Sequence, residues 1–309
     1  MVRFVSASAR VRVPATSANV GPGFDALGLA LTLYDEVSAV VTGSGVRVAV
    51  TGEGADDLPT DERHLVVRAM NAAFDRLGGR PPGLDVSCRN AIPQARGLGS
   101  SSAAIAAGIL LARALVVDGP AILDDRAVLA LAAELEGHPD NVAPCLLGGF
   151  TIAWTGADGA RAVRLVPHAA IRPVLFVPAQ QGLTAQARAA LPATVPHRDA
   201  AFNAGRAALL VHAVTAAPEL LFAATEDRLH QGYRAPGMPA TAQLVDKLRT
   251  ESIAAVVSGA GPSVLALLQS DQQVCVEPGW AMHTLTVDAD GAYCEIDWQH
   301  ADTDPVAAG

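Results

Sequence analysis

Apolar residues recur along the chain at two spacings. Alternation with period two, in RVRV (residues 10–13), EVSAVVT (36–42) and VRVAV (46–50), predicts strands, and the GSG joining the last two predicts a hairpin. LVVRAMNAAFDRL (65–77) instead repeats apolar residues three and four apart, which predicts a helix halted by GGRPPG. A strand at 84–88 precedes a long apolar run, 103–117, that reads as a buried helix; Arg113 interrupts it, and it falls short of the roughly 20 residues a bilayer requires. A helix at 126–135 follows, then strands in GGFTIAW and IRPVLFVP on either side of a turn at TGADGA. The second half predicts helices at 184–191, 200–214 and 241–250, and strands IAAVV and VLALL around SGAGPS. Helices and strands mix without a strict βαβ period or an internal repeat, which predicts an α+β fold. A division near residues 167–173 gives units of 1–168 and 169–309.

Composition narrows the possible chemistry. With 309 residues, 50% hydrophobic and 17% charged, the chain can bury a core large enough for two domains. A net charge of −9 without a basic run argues against nucleic acid and for a small-molecule or protein partner. Cys88, Cys145, Cys275 and Cys294 are scattered, with neither a CxxC pair nor zinc-ligand spacing, so they read as buried thiols. The first twenty residues hold no apolar segment of the secretory kind, and the expectation is a cytoplasmic chain with no membrane partner. The one lysine, Lys247, lies in TAQLVDKLRT, far from any glycine loop, which excludes a Walker-type phosphate loop. Phosphates bound here would be held by backbone amides and arginines.

IPQARGLGSSSAAIAAGILLARALVV (92–117) carries the clearest chemical signal. Pro93 ends the preceding strand, Gly97 and Gly99 open backbone conformations closed to other residues, and Ser100 to Ser102 are expected to cap the following helix. Free N–H groups and the positive end of a helix dipole then converge on one point, which suits an anion and most naturally a phosphate. VPATSANVGPGFDALGLAL (13–31) gathers Asn19, Gly21, Gly23 and Asp25 into a polar bend, and VVSGAGPSVLALL (256–268) makes another glycine turn. Three separated loops of this kind point to one shared pocket.

In order and spacing these three motifs resemble those of the GHMP small-molecule kinases, the central P-x-x-x-G-L-G-S-S most specifically. PATSANVGPGFDALG, EGHPDNVAP (136–144), TAQARAALPATVPHRDAAFNAGRAALL and YRAPGMP resemble, within that family, its homoserine-phosphorylating branch, over nearly the whole chain. The resemblance implies a domain like domain 2 of ribosomal protein S5 followed by a ferredoxin-like domain, with ATP and Mg²⁺ between them. It further implies transfer of a phosphate to the hydroxyl of L-homoserine in threonine biosynthesis, and a homodimer. Carried over by position, Pro93, Gln94, Ala95, Arg96, Gly97, Leu98, Gly99, Ser100, Ser101, Ser102 and Ala103 would wrap the phosphates. Ser101 and Glu136 would hold Mg²⁺, with Glu134 the rival carboxylate. Asn19, Asp25, His138, Asp140, Asn141, Thr184, Arg188, Arg234 and Gly261 would form the acceptor pocket, the two arginines clamping a carboxylate. Asn19, Asp25, Asn141 and Arg188 would lie nearest the reacting groups, and the pattern names no general base. A kinase for another small alcohol, such as mevalonate or shikimate, and a non-catalytic ATP-binding sensor remain the alternatives.

Overall fold

The computed structural model describes residues 2–298. Its first half runs β1 (Ser8–Ala18), β2 (Leu27–Thr42), β3 (Gly45–Gly52), α1 (Leu65–Leu77), β4 (Gly83–Asn90), α2 (Ser100–Leu115), α3 (Gly119–Ile122), α4 (Asp125–Glu136), α5 (Pro139–Leu147), β5 (Phe150–Gly156) and β6 (Gly159–Leu165). The second half continues with β7 (Arg172–Pro178), α6 (Thr184–Ala189), α7 (His197–Thr215), α8 (Leu221–Ala224), α9 (Gln231–Arg234) and α10 (Pro239–Thr250). It closes with β8 (Ala254–Val257), β9 (Val264–Leu268), β10 (Trp280–Thr284) and β11 (Tyr293–Asp297).

Two sheets result, as an α+β fold requires. One has the order β11-β1-β2-β4-β3, with β5 joining β2 and β6 joining β5; the other runs β10-β7-β9-β8. Helix α2 explains its own position: Ile105, Ala106, Ile109, Leu111, Ala112 and Leu115 are buried around its circumference, so it runs through the core between β1 and α1. Gly108 makes this close packing possible, since a Cβ there would collide with Val66 O of α1. Leu210, Leu221, Val256 and Leu265 of the second half join the same apolar cluster, so the halves share a continuous core. β11 pairs with β1 in antiparallel register, bringing residues from the end of the chain into the first sheet.

The predicted hairpin between residues 36–42 and 46–50 does not form. β4 lies between those strands, antiparallel to β2 and parallel to β3, with α1 as the crossover. Burial decides the order: β4 buries Leu84, Val86 and Cys88, whereas β3 buries only Val48 and is suited to the edge. The thiols also differ from expectation. Cys88 and Cys145 are buried, but Cys275 is exposed, in an irregular segment, and Cys294 is half-buried on the edge strand β11; all four are free. Among the described residues no helix is long and apolar enough to cross a membrane.

Candidate active site

The three glycine loops meet along one cleft of about 320 Å³. The first loop is the bend between β1 and β2. Asn19 and Asp25 both adopt left-handed backbone (φ 55° and 53°), a conformation their short polar side chains tolerate, and Asp25 N–H donates to Asn19 Oδ1 at 2.8 Å. The second loop feeds α2. The third, residues 258–263 between β8 and β9, is fastened to the second by Ser258 Oγ, which donates to Gly97 O at 2.7 Å.

The serines do not cap α2 as expected. Gly99, at φ 71°, is the N-cap residue and has no side chain to cap the helix; the serines lie inside its first turn, where Ser101 and Ser102 donate to Glu136 Oε1 at 2.6 and 2.9 Å. The first amides of α2 thereby keep no side-chain partner beside the cleft, the arrangement in which a helix N-terminus attracts an anion. Glu134, by contrast, accepts from Arg76 at 3.0 Å and leaves 64% of its side chain exposed. Arg96 lines the cleft, yet its guanidinium donates to Pro178 O, Gln94 O and Ala179 O, so it ties the loop to the end of β7.

The remaining residues expected at the site fall into a lining and a backing. Asn19, His138, Asn141, Thr184, Arg188 and Arg234 line the cleft with Gln94 to Ser101, Ala103 and Glu136. Behind this wall, Asp25 receives both arms of Arg188 at 2.9 Å, which holds the guanidinium above its ordinary pKa. Asp140 lies 2.6 Å from His138 Nδ1, and that hydrogen bond raises the imidazole's pKa against the opposing effect of burial. His138, as N-cap, and Asp140, in the first turn, open α5, a helix not among those predicted from the sequence. Pro93 is buried at the entrance to the second glycine loop, and Gly261 N–H donates to Ser258 O within the third loop at 2.8 Å.

Arg234 differs from an ordinary surface arginine. It is 3% exposed and forms no ion pair among the described residues; its donors reach only Ala187 O, Gly259 O and His230 Nδ1 at 3.2 to 3.3 Å. Burial lowers its pKa. Asp25, Asp227 and Asp140 act on this cation only from beyond ion-pair distance, and burying it without a direct partner is costly.

The cleft also contains residues that sequence reasoning missed. His64, N-cap of α1, accepts from Val66 N–H through Nδ1 at 3.3 Å; its Nε2 has no partner, and burial lowers its pKa. Asp35 is 5% exposed, accepts from Ala91 and Ile92 N–H through Oδ1 at 2.7 and 2.9 Å, and has its pKa pushed by burial up to about 6 from 3.8. The folded chain therefore holds that proton more tightly than the unfolded chain does. The contribution to stability is complete below about 3.8 and is lost as pH rises through about 6, a difference of about 3 kcal/mol. Asp35→Asn, which removes the charge, is expected to melt above wild type at pH 8, with the gap closing toward pH 4; thermal melts across that range check it.

A glycine-fed helix N-terminus on a cleft lined from both halves of the chain, without a lysine, agrees with the GHMP kinase class that the motifs resemble. The family model for the GHMP kinases N terminal domain matches residues 64–149, and that for the GHMP kinases C terminal domain matches residues 206–274. The homoserine kinase of Streptomyces coelicolor is 59% identical over 293 residues, covering 94% of this chain and 95% of the relative; that of Leifsonia xyli is 53% identical, covering 90% and 85%. The crystal structure of homoserine kinase from Cytophaga hutchinsonii superposes with a TM-score of 0.79 at 25% identity, covering 95% of this chain and 99% of that one. The chain belongs to the homoserine kinase family.

Proposed function

We propose that this enzyme transfers the γ-phosphoryl group of ATP to the hydroxyl of L-homoserine, with the phosphates held at the start of α2 and the amino acid between β1, α5, α6 and α9. The observation that carries this reading is the buried, unpaired Arg234 on the cleft that also holds the open amides of α2. One end needs a phosphate and the other a carboxylate. Asn19 supplies an acceptor for the ammonium, and Arg188, held in place by Asp25, joins Arg234 on the carboxylate, for which a guanidinium is shaped.

The donor set also fits Mg²⁺. A carboxylate beside an anion site repels phosphate unless a cation lies between them, and Glu136 with the Ser101 hydroxyl offers the few hard oxygen ligands that Mg²⁺ takes from protein. Bound there, the ion would neutralise charge on the β- and γ-phosphates. The chain itself aligns the acceptor hydroxyl with the γ-phosphorus: a new O–P bond forms as the bond to the ADP oxygen breaks, and the hydroxyl proton passes to water. In a loose transition state such alignment and fixed positive charge carry most of the acceleration, and no side chain is assigned as base.

Kinetics test this reading through Arg234→Ala. Losing one charge-assisted contact to the carboxylate is expected to raise KM for homoserine by about 10- to 150-fold, with KM for ATP little changed. Equal increases for both substrates would transfer Arg234 to the phosphates. A second arm measures ADP release with L-homoserine, D-homoserine, L-serine, mevalonate and shikimate; faster release with any of the others would replace the acceptor.

A further inference from the structure

Part of the cleft wall is made by β2, β4, the segment after β3 and the start of α1, none of which contributes Arg188 or Arg234. Val37, Leu58, Leu65 and Val66 give it an apolar surface, with Asp35 and His64 set into it. With Arg188 and Arg234 assigned to the acceptor, this apolar wall is the part of the lining left for the nucleoside of a triphosphate anchored at α2.

Asp35 is the polar group there whose geometry is fixed. Oδ1 is committed to the amides of Ala91 and Ile92, immediately before Pro93 and the phosphate loop. Oδ2 makes no hydrogen bond among the described residues, although the side chain is nearly buried and lines the cleft. Two backbone amides need only one carbonyl-type oxygen, which a neutral asparagine also carries. A carboxylate kept here at a cost to stability has a further use. That use is not to meet phosphate, since like charges repel; it is to accept from a neutral donor.

We propose that Asp35 binds the nucleoside of ATP: Oδ2 accepts a hydrogen bond from an N–H or O–H of that nucleoside, while Oδ1 holds the strand that delivers the phosphate loop. The inference rests on the ATP reading above. Its chemistry is shared by two sources on the nucleoside, the exocyclic amino group of adenine and the ribose hydroxyls. For the amino group, the same carboxylate would reject guanine, which presents an acceptor oxygen at that position.

The test combines Asp35→Asn with modified nucleotides: ATP, purine riboside triphosphate lacking the amino group, 2′-deoxy-ATP and 3′-deoxy-ATP. Replacing the carboxylate is expected to raise KM for ATP about tenfold or more, the scale of one charge-assisted hydrogen bond, with KM for homoserine unchanged. Wild type should lose a similar factor on one of the analogues, and Asp35→Asn should show no further loss on that same analogue, which identifies the donor. Thermal melts establish that the variant is folded. An unchanged KM for ATP overturns the inference. So does an equal loss by the variant on ATP and on every analogue, because Asp35 would then act through the loop alone. If wild type neither binds ATP in calorimetry nor releases ADP, both this inference and the ATP reading fall; if wild type uses ATP normally, failure of the variant pattern removes this inference only.

Discussion

Glu136→Gln is expected to lower kcat on the order of 10²- to 10³-fold, the scale of losing one preorganised electrostatic group, while KM for homoserine stays near that of wild type. The amide keeps the shape and can still accept from Ser101 and Ser102, which now meet at Oε1, so the loop geometry survives. What disappears is the negative charge that makes a cation between Glu136 and the phosphates favourable. The Mg²⁺ concentration needed for half-maximal turnover should therefore rise in the variant. Glu134→Gln serves as the comparison. Its carboxylate is paired with Arg76 on an exposed surface, where one ion pair contributes at most about 1 kcal/mol, and turnover should be unaffected. Inactivation by Glu134→Gln with an active Glu136→Gln would move the metal ligand two residues. Full activity in both variants would remove the metal assignment from this end of α4.

The glycine turn into α2 was legible in the sequence because it is local: Gly97 and Gly99, both at positive φ, sit directly ahead of an apolar run, whereas the serines' contacts with Glu136 depend on the distant α4. The long helices were legible for the same reason, since the spacing of three and four in residues 65–77 sets which face is buried. Strand order was not, because it depends on which strand has more apolar surface to cover. The sequence of residues 36–50 reads as a hairpin until β4, remote by thirty residues, takes the interior place. β10 escaped notice because its side chains are half-buried or exposed and give little alternation. Asp35 escaped for a related reason. Asp35, one of two adjacent acids in LGLALTLYDEVSAVVT, reads as a solvated strand position, and only the pairing of β2 with β4 brings the amides of Ala91 and Ile92 onto its carboxylate. Its interruption of an otherwise apolar strand was the one available signal. Arg234 shows the converse: YRAPG marked it as a candidate, but its burial without an ion pair comes from packing under α6 and the third loop.

Gly99→Ala is expected to weaken ATP binding more than about 100-fold while the chain remains folded. Two constraints act on that position. Its φ of 71° is disfavoured for an L side chain by about 1–2 kcal/mol, and the added Cβ would fall on Thr16 Oγ1. Thr16 cannot easily retreat: it is fully buried, its N–H donates to Leu98 O at 3.0 Å and its hydroxyl donates to Asn141 Oδ1 at 2.9 Å. The loop must therefore move, and with it the amides that open α2. Gly45→Ala separates strain from collision, since Gly45 has nearly the same φ, 72°, and nothing lies within 4 Å of its would-be Cβ at the far edge strand β3. It should lose about 1–2 kcal/mol of stability and keep wild-type ATP affinity. Calorimetric titration with ATP beside thermal melts of both variants distinguishes the outcomes. Wild-type ATP affinity in a cooperatively folded Gly99→Ala protein would show that the phosphates are held somewhere other than the N-terminus of α2.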